Sequence, residues 1–479
     1  MEDRPAVQKE KGLIRDLTVG SVPSTLLRFA LPLFFSGLLQ TLYNMVDMII
    51  VGNYVGPAGL AAVSVGGDLL MLFTFVAMGC SNAGQVLISR YVGENRKDLV
   101  GKMVGTLFTV LLAASVAAMT ICLVFHNRIL SWLNTPEDSW DMAVSYVVTC
   151  ACGMVFIYGY NLVSAILRGM GDSKHPFIFI AIASVINLIL DIVFVIGLKL
   201  GPFGAALGTV IGQGISFLFA LRLLYKNRES FEFSFRLKDF KIHPEVAKPL
   251  AGLGIPMVIQ SAAINFSMLF VNSYVYSYGV EAVAVTGVAR KLESIINVIA
   301  QAISSAGGAM IAQALGARKL ERVPKVVANA MWIVFIPSLV MAFITLTHPE
   351  WLYGLFTDDA AVLALALTYV PVAMIQYAGA FLRPPFFALI NGSGNSKLNL
   401  AVALLDGIFC RIGLALLLGV TLNWGIRGFW YGNAISGTVP FYIGIVYLLS
   451  GRWKNRASQA PEEDESTKND QDTTAGPAV

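Results

Sequence analysis

Apolar residues run through this chain in blocks too long for a soluble core. About 20 consecutive apolar residues take a helix across a bilayer, and twelve stretches qualify: 25–53, 60–88, 101–126, 140–168, 175–198, 203–225, 249–278, 282–314, 325–347, 360–391, 396–419 and 428–451. The expected fold is all-α and polytopic. The polar punctuation repeats. A shift of about 223 residues sets Pro32 on Pro256, SRYVGENRKDL on AQALGARKLER, RGMGDSKHP on NGSGNSKLN, and GAALGT on GFWYGN. Two six-helix lobes related by a pseudo-symmetry axis along the membrane normal, around a central cleft, follow from an even-numbered repeat. The boundaries are 1–24 for an N-terminal segment, 25–226 and 249–452 for the lobes, 227–248 for the linker, and 453–479 for a polar tail of disordered composition.

Charge then orients the chain. Arg4, Lys9, Lys11 and Arg15 precede the first stretch, and basic residues follow the second, fourth, sixth, eighth and last, as in KNRESFEFSFRLKDFKIHPEVAK; the alternate loops are short or acidic, as in TPEDSWD and FTDDA. By the positive-inside rule both termini are cytoplasmic and the chain is a multi-pass protein of the cell membrane. The first 24 residues lack the apolar core of a cleavable signal peptide. Of 479 residues, 56% are hydrophobic and only 13% charged, and the net charge of +4 is explained by the loops without a nucleic-acid partner.

The informative residues are the acids inside the apolar stretches. An ionised carboxylate at mid-membrane costs about 2.5–3.5 kcal/mol on insertion scales, so it is kept where it faces protein or a wet cavity. Asp47 lies in the first stretch with Tyr43 and Asn44 on the same side; Asn187 and Asp191, four residues apart, share a face of the fifth. Thr209 adds a hydroxyl in the sixth, beside Gly204, Gly208 and Gly212, whose spacing lets helices approach closely. A carboxylate with an amide oxygen suits Na⁺ and suits a proton equally; the same residues also read as a polar network holding the lobe together.

Further candidates for a substrate cleft or for coupling are Asp68 in the second stretch, Tyr158 and Asn161 in the fourth, Gln260 in the seventh, Glu293 in the eighth, Arg383 in the tenth and Asp406 in the eleventh. Tyr158 and Tyr160 with Met154 and Phe156 offer an aromatic surface for flat cations. In the second lobe Arg290 and Glu293 are spaced to pair, whereas Asp406 and Arg411, five apart, point to different sides of an α-helix and leave Asp406 to Arg383 or another partner. These charges either neutralise one another or form a second proton or substrate site. Pro32, Pro256, Pro384 and Pro385 are hinge candidates, and the paired prolines are expected to kink or break the tenth helix.

The YNMVD segment, the LRGMGDSKHP loop with N-x-x-x-D following, the GAALGT entry to the sixth span and the duplication together resemble the multidrug and toxin extrusion (MATE) family over residues 20–455. The resemblance implies export of organic cations and other drugs in exchange for Na⁺ or H⁺, with a cation site in the first lobe made by Asp47, Asn187, Asp191 and Thr209. One branch of that family carries an acid after the proline of the seventh span; here PMVIQSAAINFSMLF has none. The expected partners are small-molecule drugs and the lipid bilayer, and the expected unit is a monomer. A lipid or lipid-linked saccharide flippase of related fold is the alternative, for which a basic central cavity would be required.

Enzymatic chemistry finds little support. His126, His175, His243 and His348 have no ligand spacing, and the five cysteines sit in apolar stretches without metal or redox spacing. There is no Walker A sequence for ATP and no nucleotide fingerprint. No cofactor and no metal beyond a possible Na⁺ is expected.

Overall fold

A computed structural model describes residues 13–133 and 135–457. Arg4, Lys9 and Lys11, and the tail from residue 458, lie outside the described residues. Among the described residues every regular element is helical. Eleven single helices are long and apolar enough to cross a membrane: Val22–Tyr54, Pro57–Gly93, Lys97–Trp132, Lys174–Gly197, Gly201–Lys226, Pro244–Tyr276, Val280–Gly316, Arg322–Thr347, Ala360–Gly392, Ser396–Thr421 and Ile426–Leu449. Glu137–Cys152 and Met154–Gly169, bent by 49°, complete the set as the fourth of twelve spans. Helices satisfy their own backbone polar groups, which lipid cannot do for them. Side chains such as Phe266, Leu269, Trp332, Phe343 and Val446 stand exposed, the face that hydrocarbon covers.

Two apolar cores organise the bundle, and two helices are shared between them. The first span begins in the second lobe's core with Val22, Leu26, Phe29 and Ala30, and ends in the first lobe's core with Ile50 and Val51. The seventh span does the reverse: Val246, Leu250, Leu253 and Met257 join the first core, Val271 and Val275 the second. Pro32 and Pro256 lie ahead of the change of lobe, since Leu33 still packs against the second core and Met257 still belongs to the first. Each lacks an N–H, which frees the carbonyl one turn earlier, at Arg28 and Gly252.

The lobes close on each other at the end that carries the basic loops. A Cβ on Gly93 would lie 2.2 Å from the Gln313 carbonyl oxygen, and one on Gly316 2.3 Å from that of Arg90, so the second and eighth spans cross there backbone to backbone. Arg168 Nε donates to Gln85 Oε1 at 2.7 Å, and Gln85 Nε2 donates to the Ser305 carbonyl at 3.1 Å. The segment before the first span straps the same end: Arg15 N donates to Met170 O at 2.7 Å, Leu17 N to Gln313 Oε1 at 2.8 Å, and Lys319 Nζ to Thr18 Oγ1 at 2.8 Å. Burial is unbroken over residues 83–89 of the second span and 306–316 of the eighth, and one-sided in the opposite halves of both. The cleft between the lobes therefore opens toward the end away from the basic loops.

Several expectations are revised by the helices. Pro32, Pro256, Pro384 and Pro385 all sit inside unbroken helices, and the paired prolines are buried. The one broken span is the fourth, at Gly153, where a Cβ would meet Val210 Cγ2 at 2.3 Å. The linker packs against the third span through Phe231, Phe233, Phe235 and Phe240, with Phe108 edge-on to Phe240. The second lobe extends past 452: Trp453 is buried, its indole donating to Leu448 O at 3.0 Å.

The crossing of spans two and eight yields a first prediction. Gly93→Ala forces a methyl against backbone that has no rotamer to yield, and overpacking of this kind costs about 1–3 kcal/mol. The variant is expected to unfold several degrees below wild type, and to expose a cysteine placed at Ser305 to a soluble thiol reagent faster than in the parent; an unchanged midpoint and reactivity would contradict the crossing.

Candidate functional site

Three spans build a polar centre inside the first lobe. Asn187 and Asp191 lie on the last turns of the fifth span before it widens into a π-helical turn at Ile192–Gly197. Asn187 Nδ2 donates to Asp191 Oδ1 at 3.4 Å and to Thr209 Oγ1, on the sixth span, at 3.3 Å. Gly208 makes this possible. A Cβ there would stand 2.7 Å from Asp191 Oδ1, so only a bare backbone leaves room for the carboxylate. Asp47 comes from the first span, its carboxyl side by side with that of Asp191 and within hydrogen-bonding reach. All three are nearly sealed from solvent: Asp47 is 7% exposed, Asn187 4% and Asp191 1%.

The centre is short of positive charge. Asp47 Oδ1 and Asp191 Oδ2 are buried without a hydrogen-bond partner, and no Lys, Arg or His pairs with either among the described residues. A buried oxygen without a donor costs about 1–3 kcal/mol, more when charged. Two carboxylates, one amide and one hydroxyl are hard oxygen donors, the ligand set of a small alkali cation. The same pair of oxygens equally holds a proton between them.

The surroundings extend the set. Tyr43, one turn before Asp47, places its hydroxyl beside the Gln40 and Gln213 side chains. Tyr146 and Cys150 of the fourth span lie within electrostatic range of Asp47. Gln213 and Tyr146 were not singled out in the sequence. Gln213 was findable, since it stands four residues after Thr209 on the same face; Tyr146 carries no such signal, because its place depends on how the fourth span packs.

Other candidates fall elsewhere. Asn44 is exposed and makes no side-chain hydrogen bond among the described residues, so it does not share the inward side of Tyr43 and Asp47. Tyr158 does not line a cleft: it is 2% exposed in the first core, its hydroxyl donating to Phe73 O at 2.6 Å. Met154 is buried in the same core. Asn161 donates to Ile157 O at 2.8 Å on its own helix. Gln260 is buried, with Nε2 unpartnered. Asp68 is exposed without a basic partner among the described residues.

The second lobe corrects two pairings. Arg290 does not bind Glu293; Arg290 Nη2 donates to Tyr276 OH at 3.2 Å, and Glu293 Oε1 accepts from Asn297 Nδ2 at 3.4 Å. Asp406 needs no help from Arg383, because Arg411 Nη2 donates to Asp406 Oδ1 at 2.9 Å. The reason is a π-helical turn at Leu405–Cys410. Its i→i+5 winding aligns residues five apart that an α-helix would splay. Asp406, fully buried and ion-paired, is therefore not a cleft residue. Arg383 stacks over Phe387, 5.6 Å from the ring centroid.

Comparison with known proteins adds the lineage. The MatE family model matches residues 32–193 and again 256–417, once per lobe. The chain belongs to the MatE family. Among similar proteins, the probable multidrug resistance protein YpnP of Bacillus subtilis is 27% identical across 92% of this chain and 97% of its own length. The probable multidrug resistance protein NorM of Thermotoga maritima is 21% identical across 92% and 95%, and the multidrug export protein MepA of Staphylococcus aureus 22% across 89% and 94%. A solved outward-facing multidrug resistance MATE transporter superposes with a TM-score of 0.84, at 22% identity, over 94% of this chain and all of its own. At that identity the likeness supports the fold of this MatE protein.

Gly208 supplies the prediction. Gly208→Ala drives a methyl into Asp191 Oδ1 while leaving every side chain of the centre chemically unchanged. The displaced carboxylate is expected to weaken cation dependence of transport about tenfold, the equivalent of about 1.4 kcal/mol, with folding preserved. Dose–response of transport against the driving cation, beside a thermal melt of the same sample, checks both halves.

Proposed function

We propose that this MATE transporter is a secondary active multidrug exporter of the cell membrane, moving organic cations and related drugs outward in exchange for Na⁺ or H⁺. The observation that carries this reading is the pair of buried carboxylates, Asp47 and Asp191, whose free oxygens lie between three spans of one lobe with no basic side chain to neutralise them. Structural glue would leave no such deficit. The relatives' names, multidrug resistance and multidrug export, supply the substrate class. By the positive-inside rule the basic loops face the cytoplasm, so the cleft described above opens outward and both termini are cytoplasmic.

A cation drives such a cycle only if it binds the two lobe arrangements unequally. The first span provides the means. It carries Asp47 at its far end and is rooted in the opposite lobe by Leu26 and Phe29. Neutralising Asp47 and Asp191 changes the pull between the first span and the fifth, and Pro32 marks where the helix gives way. Each bound cation thus alters the path of a helix that both lobes hold, and with it the face the cleft presents to the drug.

The flippase alternative needs a basic central cavity for a pyrophosphate. Of the arginines that could supply it, Arg411 is buried in a pair with Asp406, while Arg290 and Arg383 meet Tyr276 and Phe387 rather than an acid; the unpaired acids of the first lobe favour a cationic cargo.

The test is efflux of a fluorescent organic cation from proteoliposomes under a Na⁺ gradient or a pH gradient imposed separately. Wild type is expected to respond to one of them, and Asp47→Asn and Asp191→Asn to lose the response by at least about tenfold, since each removes a charge that the cation neutralises. Gradient-driven efflux that survives in both variants would sink the assignment. Absence of efflux in wild type, with flipping of a labelled lipid, would favour the alternative.

A further inference from the structure

The second lobe contains the counterpart of this centre, and it is not empty of charge. The turns that frame the paired helices fix the register. Gly171 and Gly394, both with positive φ, are 223 residues apart; Gly201 and Gly425, both with positive φ, are 224 apart. The eleventh span thus carries one residue more than the fifth. It also carries one π-helical turn more: Leu417–Thr421 corresponds to the turn at Ile192–Gly197, and Leu405–Cys410 has no counterpart in the first lobe. Beyond that extra turn, residue n of the first lobe answers to n + 224.

The helix contacts confirm that register. A Cβ on Gly204 would touch Phe194, and one on Gly428 would touch Leu418; a Cβ on Gly208 would touch Asp191, and one on Gly432 would touch Ala415. Each residue of the second pair is 224 beyond its fellow. Asn187 then corresponds to Arg411, Asp191 to Ala415 and Thr209 to Asn433. The bridging hydrogen bond recurs as well. Asn187 Nδ2 reaches Thr209 Oγ1 at 3.3 Å, and Arg411 Nη1 reaches Asn433 Oδ1 at 2.6 Å, both across 22 residues of sequence.

Where the first lobe has an amide facing two carboxylates, the second has a guanidinium. Its counter-charge is Asp406, delivered by the extra π turn, and both groups are buried: Arg411 is 4% exposed. Glu293 and Arg383 are the other charged groups near enough to act on it electrostatically. One atom on each side of the pair, Asp406 Oδ2 and Arg411 Nε, has no partner, so the cluster is not consumed by structural hydrogen bonds.

We infer that Arg411 is a resident cation: its guanidinium occupies in the second lobe the place that an exchangeable cation takes in the first, leaving this chain one exchangeable site and one permanently filled. The inference rests on the proposed cation site of the first lobe. It assigns ion coupling to that lobe alone and gives the second a fixed charge that no gradient can remove. It also names what the second lobe would accept once the side chain is taken away, namely a small monovalent cation beside Asp406 and Asn433.

Chemical rescue tests this. Purified full-length Arg411→Ala is melted in detergent with increasing methylguanidinium chloride, and with choline chloride at matched ionic strength. Methylguanidinium is expected to raise the midpoint saturably by several degrees in Arg411→Ala, and choline not. Wild type should not respond, nor should Asp406→Asn combined with Arg411→Ala, in which no carboxylate is left to neutralise. A midpoint that moves equally in wild type, or not at all in folded Arg411→Ala, overturns the inference. Should Arg411→Ala fail to fold, Arg411→Lys and Arg411→Met decide: transport kept by Lys and lost by Met supports a charge in that place, and equal loss or equal retention contradicts it. Repeating the melt in an Asp191→Asn background separates the two readings. If the first-lobe site is wrong, Asp191→Asn leaves ion-driven efflux intact while the methylguanidinium response persists; if the resident cation is wrong, the response vanishes and the first-lobe result stands.

Discussion

The constraint on which this structure depends is neutrality in a medium that cannot solvate ions. Within the spans a carboxylate must be matched by a positive charge or leave the ionised state. The second lobe meets this with its own side chains, Asp406 against Arg411. The first does not, since Asp47 and Asp191 lie together with uncharged groups, an amide and a hydroxyl nearest, and no basic side chain pairs with them among the described residues. A fold of duplicated lobes thus holds a balanced half and an unbalanced half. The unbalanced half is left to take a proton or a cation from solution, and this is the ground for the ion exchange proposed above.

The place of that imbalance matters as much as its existence. Asp47 stands on the helix that changes lobes, and its partners stand on helices that do not. Charging or neutralising a pair within one rigid lobe would alter that lobe's stability and little else. Acting between the first span and the fifth, the same event pulls on a helix rooted in the other core by Val22, Leu26, Phe29 and Ala30, beyond Pro32. The seventh span repeats the crossover with Pro256, and its far end faces Glu293 together with Arg290 rather than a pair of acids.

Much of this was legible in the sequence, for physical reasons. Hydrophobic length is set by bilayer thickness, so the twelve spans could be placed within a few residues. The duplication left its glycines and prolines at a near-constant offset. Asn187 and Asp191 share a face because helical period alone puts them there. What the sequence concealed depended on departures from that period. Asp406 and Arg411 read as divergent because five residues make about one and two-fifths α-helical turns; only the π turn reconciles them, and no residue in LDGIFC announces it. Tyr158 read as a cleft aromatic because a tyrosine in a span has two equally plausible sides, and packing chose the inner one. The paired prolines read as a kink or a break, yet the tenth helix runs through them, and among the described residues the span that breaks does so at Gly153.

The extra π turn also explains why the two lobes diverged without losing their fold. Inserting one residue into an α-helix normally rotates everything beyond it by about 100°, which would have turned the eleventh span's face away from the glycines of the twelfth. Absorbing the insertion in a local widening keeps Gly428 and Gly432 seated against Leu418 and Ala415, as Gly204 and Gly208 are against Phe194 and Asp191. The helix packing is conserved between lobes while the side chains it presents are re-dealt. The acid, Asp406, lies more than two turns before Ala415, the position that answers to Asp191, and a base takes the position of Asn187. The register shift and the charge exchange are one event seen at two levels: the second lobe holds its own positive charge, Arg411, at the position that answers to Asn187.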